Sequence, residues 1–587
     1  MKKTVAVIFV LASLSVCPAF TQWESSLKSD GAWNFRQSNN ENLDFKLKYN
    51  KEKFFVGTSL YFGHNFYPSA QTTSILDAKK EKSEYYKEEN KAINPRKFKA
   101  GGAVDFGYIF NPSNILNASV GYGFNGTNEN SLLNTLRYNA ADLTPLNGTQ
   151  QDTTMSRSHG IDSKLEYGHT FDSRPDARLD IVYAGFIKLN SDGNRRITSG
   201  NFYSNPKNYA TYSSLNDFNT TLKVSYDDIF RFSNSELKIK AGLDYESNQD
   251  LDAYAAETLV NGQWRDSTNY RQSYFYNSQA GEPYVNLTYS IGKFDIFVKE
   301  RVQIYWHAMI DKLEDRKKPE DLVGLFDKYD FQNLLCAGTT FRINERHRLT
   351  LDYGRSIVRP DYSKLCPTKM IGKSEGEYFI GNPDLKPELT DKVNLRYTYA
   401  RDIFVTNLDI NYRSKRNTAE KIIDLEKSKE IADPTVKTLY TWVNTKSQSS
   451  IGAKLNLGIN GQKVKAGIWA GFNYDIYKIS GKPDKEDFNY ELGTNVDVFL
   501  GEKSKLSSSL VYISAKQSAY NLKGEDVLAS IRFTRKIISG LDLYAELADI
   551  VDKEIYEETW NANMNYLKVS TTAPMHRAAR IGISYTF

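Results

Sequence analysis

Leu349-Thr350-Leu351-Asp352-Tyr353 places apolar residues at odd positions and polar ones at even positions. Forty residues on, Val393, Leu395, Tyr397 and Tyr399 alternate with Asn394, Arg396 and Thr398. Unbroken alternation of period two is a strand with two unlike faces. A loop joins the two strands. It is punctuated by Arg355, Arg359-Pro360, Tyr362, Leu365 and Pro367. It ends in Tyr378-Phe379-Ile380-Gly381-Asn382-Pro383-Asp384-Leu385-Lys386-Pro387-Glu388. Proline fixes φ and biases its predecessor away from helix. Gly-Asn-Pro followed by Leu-x-Pro therefore reads as a rigid, structural connection that fixes one loop and the start of the next strand.

The same alternation recurs outward in both directions, from about residue 31 to the C-terminus, in strands of about ten residues. Short connections fall near 50–51, 111–112, 173–174, 230–234, 292, 344–345, 401–402, 460–461, 502–503 and 539–540. Several carry the Asn, Gly or Pro that tight turns require. Long polar connections fall at 65–95, 125–156, 191–213, 249–269, 308–328, 358–389, 414–438, 478–487, 516–524 and 552–574. Short and long strictly take turns. Ten hairpins, a first strand near 32–37 and a last at 577–587 predict about 22 strands. Lys454, Asp409 and Glu546 interrupt the polar faces of their strands. A Lys or Arg in mid-strand on a lipid face costs about 2–4 kcal/mol, so these three charges are expected to face a wet interior.

In its order Arg359, Pro360, Tyr362, Leu365, then Tyr378, Gly381, Asn382, Pro383, Leu385, Pro387, Glu388, the 349–400 stretch resembles the barrel of TonB-dependent outer-membrane receptors, in particular the group common in Bacteroidetes. The terminal Tyr585-Thr586-Phe587 is similar to the same class. The resemblance implies an all-β fold: a single transmembrane antiparallel β-barrel with short periplasmic turns and long extracellular loops. It covers the barrel only. No plug domain and no TonB box is expected between residue 23 and the first strand.

The chain has 587 residues, 25% charged and 13% aromatic, with 39 Tyr, and its net charge of +5 comes without a dense basic run. Nucleic-acid binding gets no support. Mean hydropathy is −0.55, and no apolar run beyond the N-terminus is long enough for a spanning helix. A barrel strand is only half apolar, so a barrel stays open. The Tyr excess suits interfacial girdles. Residues 1–19 read as a signal peptide, with Lys2-Lys3 before an apolar stretch and Cys17-Pro18-Ala19 at its end. Cleavage as late as residue 21 fits too, and Cys17 leaves a lipoprotein reading open. Residues 20–30 then form a short N-terminal segment and 31–587 the barrel. Cys336 and Cys366 are expected to stay unpaired thiols.

No catalytic, cofactor-binding or metal-ligating set is expected. The six His include no HExxH, and no Cys/His cluster has zinc spacing. Ser158-His159 and His169 are the best material for a hydrolase, but ten residues on a strand separate the two rings by about 33 Å. The charged loop 77–86, the loop at 311–318 and Tyr270, Tyr274 and Tyr276 could capture a ligand. Solvated loops and packed aromatics are the plainer explanations. The expected function is binding or passage of a nutrient, a metal chelate or an oligosaccharide. The alternative is a structural or adhesive barrel displaying its loops. Expected partners are the lipid bilayer and lipopolysaccharide, a small solute, and a plug or surface lipoprotein encoded separately.

Overall fold

The computed structural model describes residues 23–33, 39–66, 69–79, 82–139, 145–200, 208–266, 272–311, 324–367, 370–371, 377–424, 438–478, 483–551, 553–560, 567–573 and 578–586. The signal-peptide residues, Cys17 and the terminal Phe587 lie outside them.

One antiparallel sheet dominates. Trp23–Trp33 pairs with Asn39–Lys51, and the ladder continues through Phe54–Phe66, Lys82–Asn111, Asn114–Asn139, Pro145–Phe171 and Arg174–Ser199. Next come Tyr209–Arg231, Ser235–Val260, Gln272–Ile291, Phe294–Asp311, Cys336–Arg342 and His347–Val358. Glu388–Arg401, Phe404–Arg416, Ser447–Asn460, Val464–Lys478, Lys485–Phe499 and Ser504–Ile513 follow. Asp526–Ile538, Leu541–Ala548 and Ala578–Thr586 complete the order, and the last of these also pairs with Trp23–Trp33. The first strand thus begins well before 32–37. Its apolar residues are thinned by Ser25, Ser29 and Gly31, so alternation alone does not reveal it.

All ten short connections fall at or within a few residues of turns. Gly292 (φ 55°), Asp402 (φ 50°) and Gly540 (φ 81°) take the left-handed conformation that tight hairpins need. The long connections split into two kinds. From 125 to 156 the expected loop is mostly strand, because Asn114–Asn139 has 26 residues and Pro145–Phe171 has 27. Lys82–Asn111 reaches 30. These extensions carry polar residues on both faces, which hides a strand from a search for apolar alternation. In the C-terminal half the strands are short, at 13 residues for Phe404–Arg416 and 15 for Val464–Lys478.

The two faces are chemically distinct. One exposes Leu60, Val120, Leu351, Leu395, Ile410, Leu457, Ile468 and Leu492. Aromatic rings border this aliphatic zone. At the end with short turns, Phe294 stacks on Phe341 at 4.7 Å and His347 lies 4.8 Å from Tyr399. At the other end Phe472, Phe488, Tyr490 and Tyr512 form a ladder with centroids 5.7–6.2 Å apart. Phe404 and Tyr412, eight residues apart on one strand, mark about 26 Å along it, close to the roughly 25 Å apolar band of membrane barrels. The opposite face is an array of ion pairs. Lys454 meets Glu491, Asp409 meets Arg396, and Glu546 lies between Arg532 and Arg580. All three charges expected on the wet face are there.

Candidate functional site

On the polar face, beyond the end with long connections, two loops fold into one unit. The first leaves the wall after His347–Val358. Arg359 lies 3.7 Å over the Tyr305 ring and donates to Gln303 Oε1 from Nε (2.9 Å) and Nη2 (2.7 Å). Its Nη1 is 2.8 Å from Asp330. A planar guanidinium can stack and fork at once, which an ammonium cannot. Asp361 then caps the helical turn Tyr362–Leu365 by accepting from the Lys364 backbone N–H at 3.1 Å. Burial works against the ionised Asp361, but its bonds with Ser363 and Lys364 outweigh it and hold the carboxyl below its ordinary range.

Leu365, Cys366 and Leu385 pack against Tyr274, Tyr276 and Met309 of the wall, and Met309 is fully buried. Gly381 sits where only glycine fits. Its N–H donates to the Cys366 carbonyl at 2.7 Å, and a Cβ there would stand 2.4 Å from that oxygen and 2.6 Å from Cys366 N. Asn382 donates from Nδ2 to the Trp442 carbonyl at 3.0 Å, and its Oδ1 accepts from the Asp384 N–H at 3.0 Å. Lys328 Nζ donates to the Pro383 carbonyl at 2.6 Å, and Lys415 Nζ to Glu388 at 2.8 Å. The motif residues are therefore the clasp that seats the loop on the wall, a contact that the sequence, read as a rigid loop leading into the next strand, does not announce. Of Tyr378 only the backbone is described, paired with Ile371 and Leu439.

The second loop completes a small four-stranded sheet. Ala419–Ile423 pairs with Thr438–Asn444, which runs parallel to Glu377–Phe379, which in turn pairs with Met370–Ile371. Phe379 stacks on Tyr440 at 5.0 Å. Asn444 ties the loops together: Oδ1 accepts from the Lys386 N–H at 2.8 Å and Nδ2 donates to the Asn417 carbonyl at 2.6 Å. On the far side Ile422 packs against Tyr477, Ala519 and Tyr520. There Glu420 Oε2 accepts from Ser518 Oγ (3.2 Å) and Asn521 Nδ2 (3.3 Å). Burial pushes the Glu420 carboxyl above its ordinary value, against the pull of those two bonds. The unit is thus a cap with two anchors: Tyr274, Tyr276 and Met309 on one stretch of wall, and Tyr477 with the loop at 518–521 on another.

Tyr274 and Tyr276 are packed, one of the two roles open to them from sequence; Tyr270 lies outside the described residues. Tyr276 OH lies 2.9 Å from Tyr305 OH. Beside it the wall is acidic: Asp250 is the cross-strand neighbour of both Tyr276 and Asp217, and Asp252 follows on the same face. Met309, Trp442, Asn444 and Tyr477 were not legible as site residues, because nothing local separates a cap anchor from any other residue of a polar wall. The side chains of the charged loop 77–86 and the residues 312–323 lie outside the described set. His159 Nδ1 meets Tyr122 OH at 2.8 Å and His169 Nδ1 meets Asn114 Oδ1 at 2.8 Å, both on the apolar face and far apart. Cys336 and Cys366 form no disulfide.

Residues 176–585 match the family described as outer membrane protein beta-barrel. No curated protein sequence matches the chain. Among solved structures, the copper transporter OprC aligns with a TM-score of 0.63 at 11% identity, over 96% of this chain and 81% of that one. The ferripyoverdine receptor of Pseudomonas aeruginosa aligns with 0.61 at 12%, over 96% and 72%. The siderophore receptor PirA of Pseudomonas aeruginosa aligns with 0.56 at 11%, over 96% and 80%. At these identities the likeness is one of fold.

Proposed function

The chain belongs to the outer membrane protein beta-barrel family and lies in the outer membrane of a Gram-negative bacterium, and from that premise we propose that it is a closed barrel of about 22 strands that takes a nutrient solute inward. Pairing of Ala578–Thr586 with Trp23–Trp33 supports closure, since an open edge would leave backbone groups without partners in hydrocarbon. The short turns face the periplasm and the long connections the outside, as in barrels of the TonB-dependent group common in Bacteroidetes. The solute is a metal chelate or an oligosaccharide. Asp217, Asp250 and Asp252 offer it acceptors and the cap offers it aromatic surface.

The observation that carries this reading is the cap, docked on the polar wall through Arg359, Leu365 and Gly381. A barrel of this size would otherwise enclose a wide aqueous channel. Below the cap, pairs such as Arg301–Glu282 (2.7 Å) and Lys240–Asp227 (3.1 Å) make a wall suited to a polar partner, such as a plug encoded separately. A surface lipoprotein is the matching partner outside. Single-channel conductance of the purified full-length protein tests the cap. The intact protein should stay closed, and replacing residues 361–386 by a short Gly-Ser linker should give large openings. Large, constant openings from the intact protein would overturn the reading.

The long N-terminal strands favour a second reading, a structural or adhesive barrel. Shortening the 65–95 connection should then abolish attachment and leave uptake unchanged.

A further inference from the structure

Above the outer aromatic ring, the lipid-facing surface of the C-terminal half changes character. Tyr353, Val393, Tyr412, Ile451, Tyr474 and Phe488 form one cross-strand row on the apolar face. Two residues further out on the same face, Arg355 faces Asp391 across the ladder. Two further again, Arg416, Ser447 and Lys478 are directly opposite one another on three successive strands. Arg416 and Lys478 are therefore two strand spacings apart, about 10 Å.

Asp391 organises the pair of guanidiniums. It accepts from Arg355 Nε at 2.7 Å, from Tyr353 OH at 2.7 Å and from Arg416 Nη2 at 3.1 Å. Each arginine has five N–H donors, so most of both forks stays available. The side chains of Arg355 and Arg416 are 33% and 49% exposed. They lie about 7 and 13 Å along the strand from the aromatic row, at the level where lipid headgroups begin.

We propose that Arg355, Arg416 and Lys478 form an outward-facing site for the phosphate of an anionic glycolipid of the outer leaflet, the phosphorylated headgroup of lipopolysaccharide. The forks match phosphate geometry, Ser447 supplies a hydroxyl between the two outer cations, and the site continues the lipid-facing surface without a break. Asp391 fixes the arginines; other carboxylates on this face are Glu486, engaged by Tyr474 OH at 2.5 Å, and Asp484, exposed and next in register to Lys478. This inference rests on the orientation given above, with the long connections outside.

Native mass spectrometry of the full-length protein in detergent tests it, with diphosphorylated lipid A, its dephosphorylated form and phosphatidylglycerol as probes. The diphosphorylated form should bind about tenfold tighter than the dephosphorylated one. The R416Q/K478Q variant keeps the Arg355–Asp391 pair. It should lose that preference with unchanged heat unfolding. Arg535→Gln, on the same face near the periplasmic rim, should leave it intact. Equal binding of the two lipid A forms, or a preference untouched by R416Q/K478Q, overturns the site. Labelling of Ser447→Cys on intact cells by a membrane-impermeant reagent reports orientation separately. Failure to label would overturn the orientation and the proposal with it.

Discussion

Lys82–Asn111 runs for 30 residues and Phe404–Arg416 for 13, yet each has one end at a short turn. Beyond the apolar band the two halves satisfy their backbones differently. In the N-terminal half the strands go on pairing with each other, so the ladder itself supplies the partners along the described strands. Its inner face there is buried and polar: Asp152 takes Arg196 Nε at 2.9 Å and Gln150 Nε2 at 2.8 Å, with both members of the ion pair under 10% exposed. In the C-terminal half the strands stop, and the chain turns inward to build the cap. The wall is held by long-range pairing and buried charge, and the cap by an apolar core and a glycine contact. Only the second kind of join can be undone without dismantling the sheet.

That division can be broken or sharpened by mutation. Asp152→Ala leaves Arg196 buried without its carboxylate and should cost about 3–5 kcal/mol. It should lower the unfolding temperature while the channel stays closed; openings in this variant would refute the division. Leu365→Ala removes a fully buried side chain from the cap core and should cost about 2–5 kcal/mol. Here hydrogen exchange should rise across the cap and the lumen should open. Gly381→Ala drives a methyl into the Cys366 backbone and should cost about 1–3 kcal/mol. It should expose the cap loops to protease with little change in sheet melting.

The smallest effect concerns pH. The folded state raises the Glu420 carboxyl above its unfolded value, so cap docking is fully supported below the unfolded value and weakens as pH rises through the folded one. Glu420→Gln keeps an acceptor for Ser518 and Asn521 but no longer ionises. Cap protection should then lose its dependence on pH in the weakly acidic range. A pH slope that survives in this variant would place the titrating group elsewhere.

Much of the wall is readable in the sequence. The turns, the face of Lys454, Asp409 and Glu546, and the order of short and long connections follow from period-two alternation, which is a local property. The tall extensions read as loops in the sequence because Asn128-Glu129-Asn130-Ser131 is polar on both faces and shows no alternation. Arg359, Gly381 and Asn382 announce a rigid loop, but not what it rests on. Met309 and Tyr477 lie far from the motif in sequence, and neither differs locally from its neighbours.

The sequence by itself determined which residues meet lipid and where each hairpin turns, because burial of alternate side chains is decided within a strand. Tertiary structure alone decided that two loops meet as a sheet, that they dock on Tyr276 and Tyr477, and that Arg416 and Lys478 line up across strands beside Arg355. Those outcomes depend on register between segments distant in the chain, and register is set by the whole ladder at once.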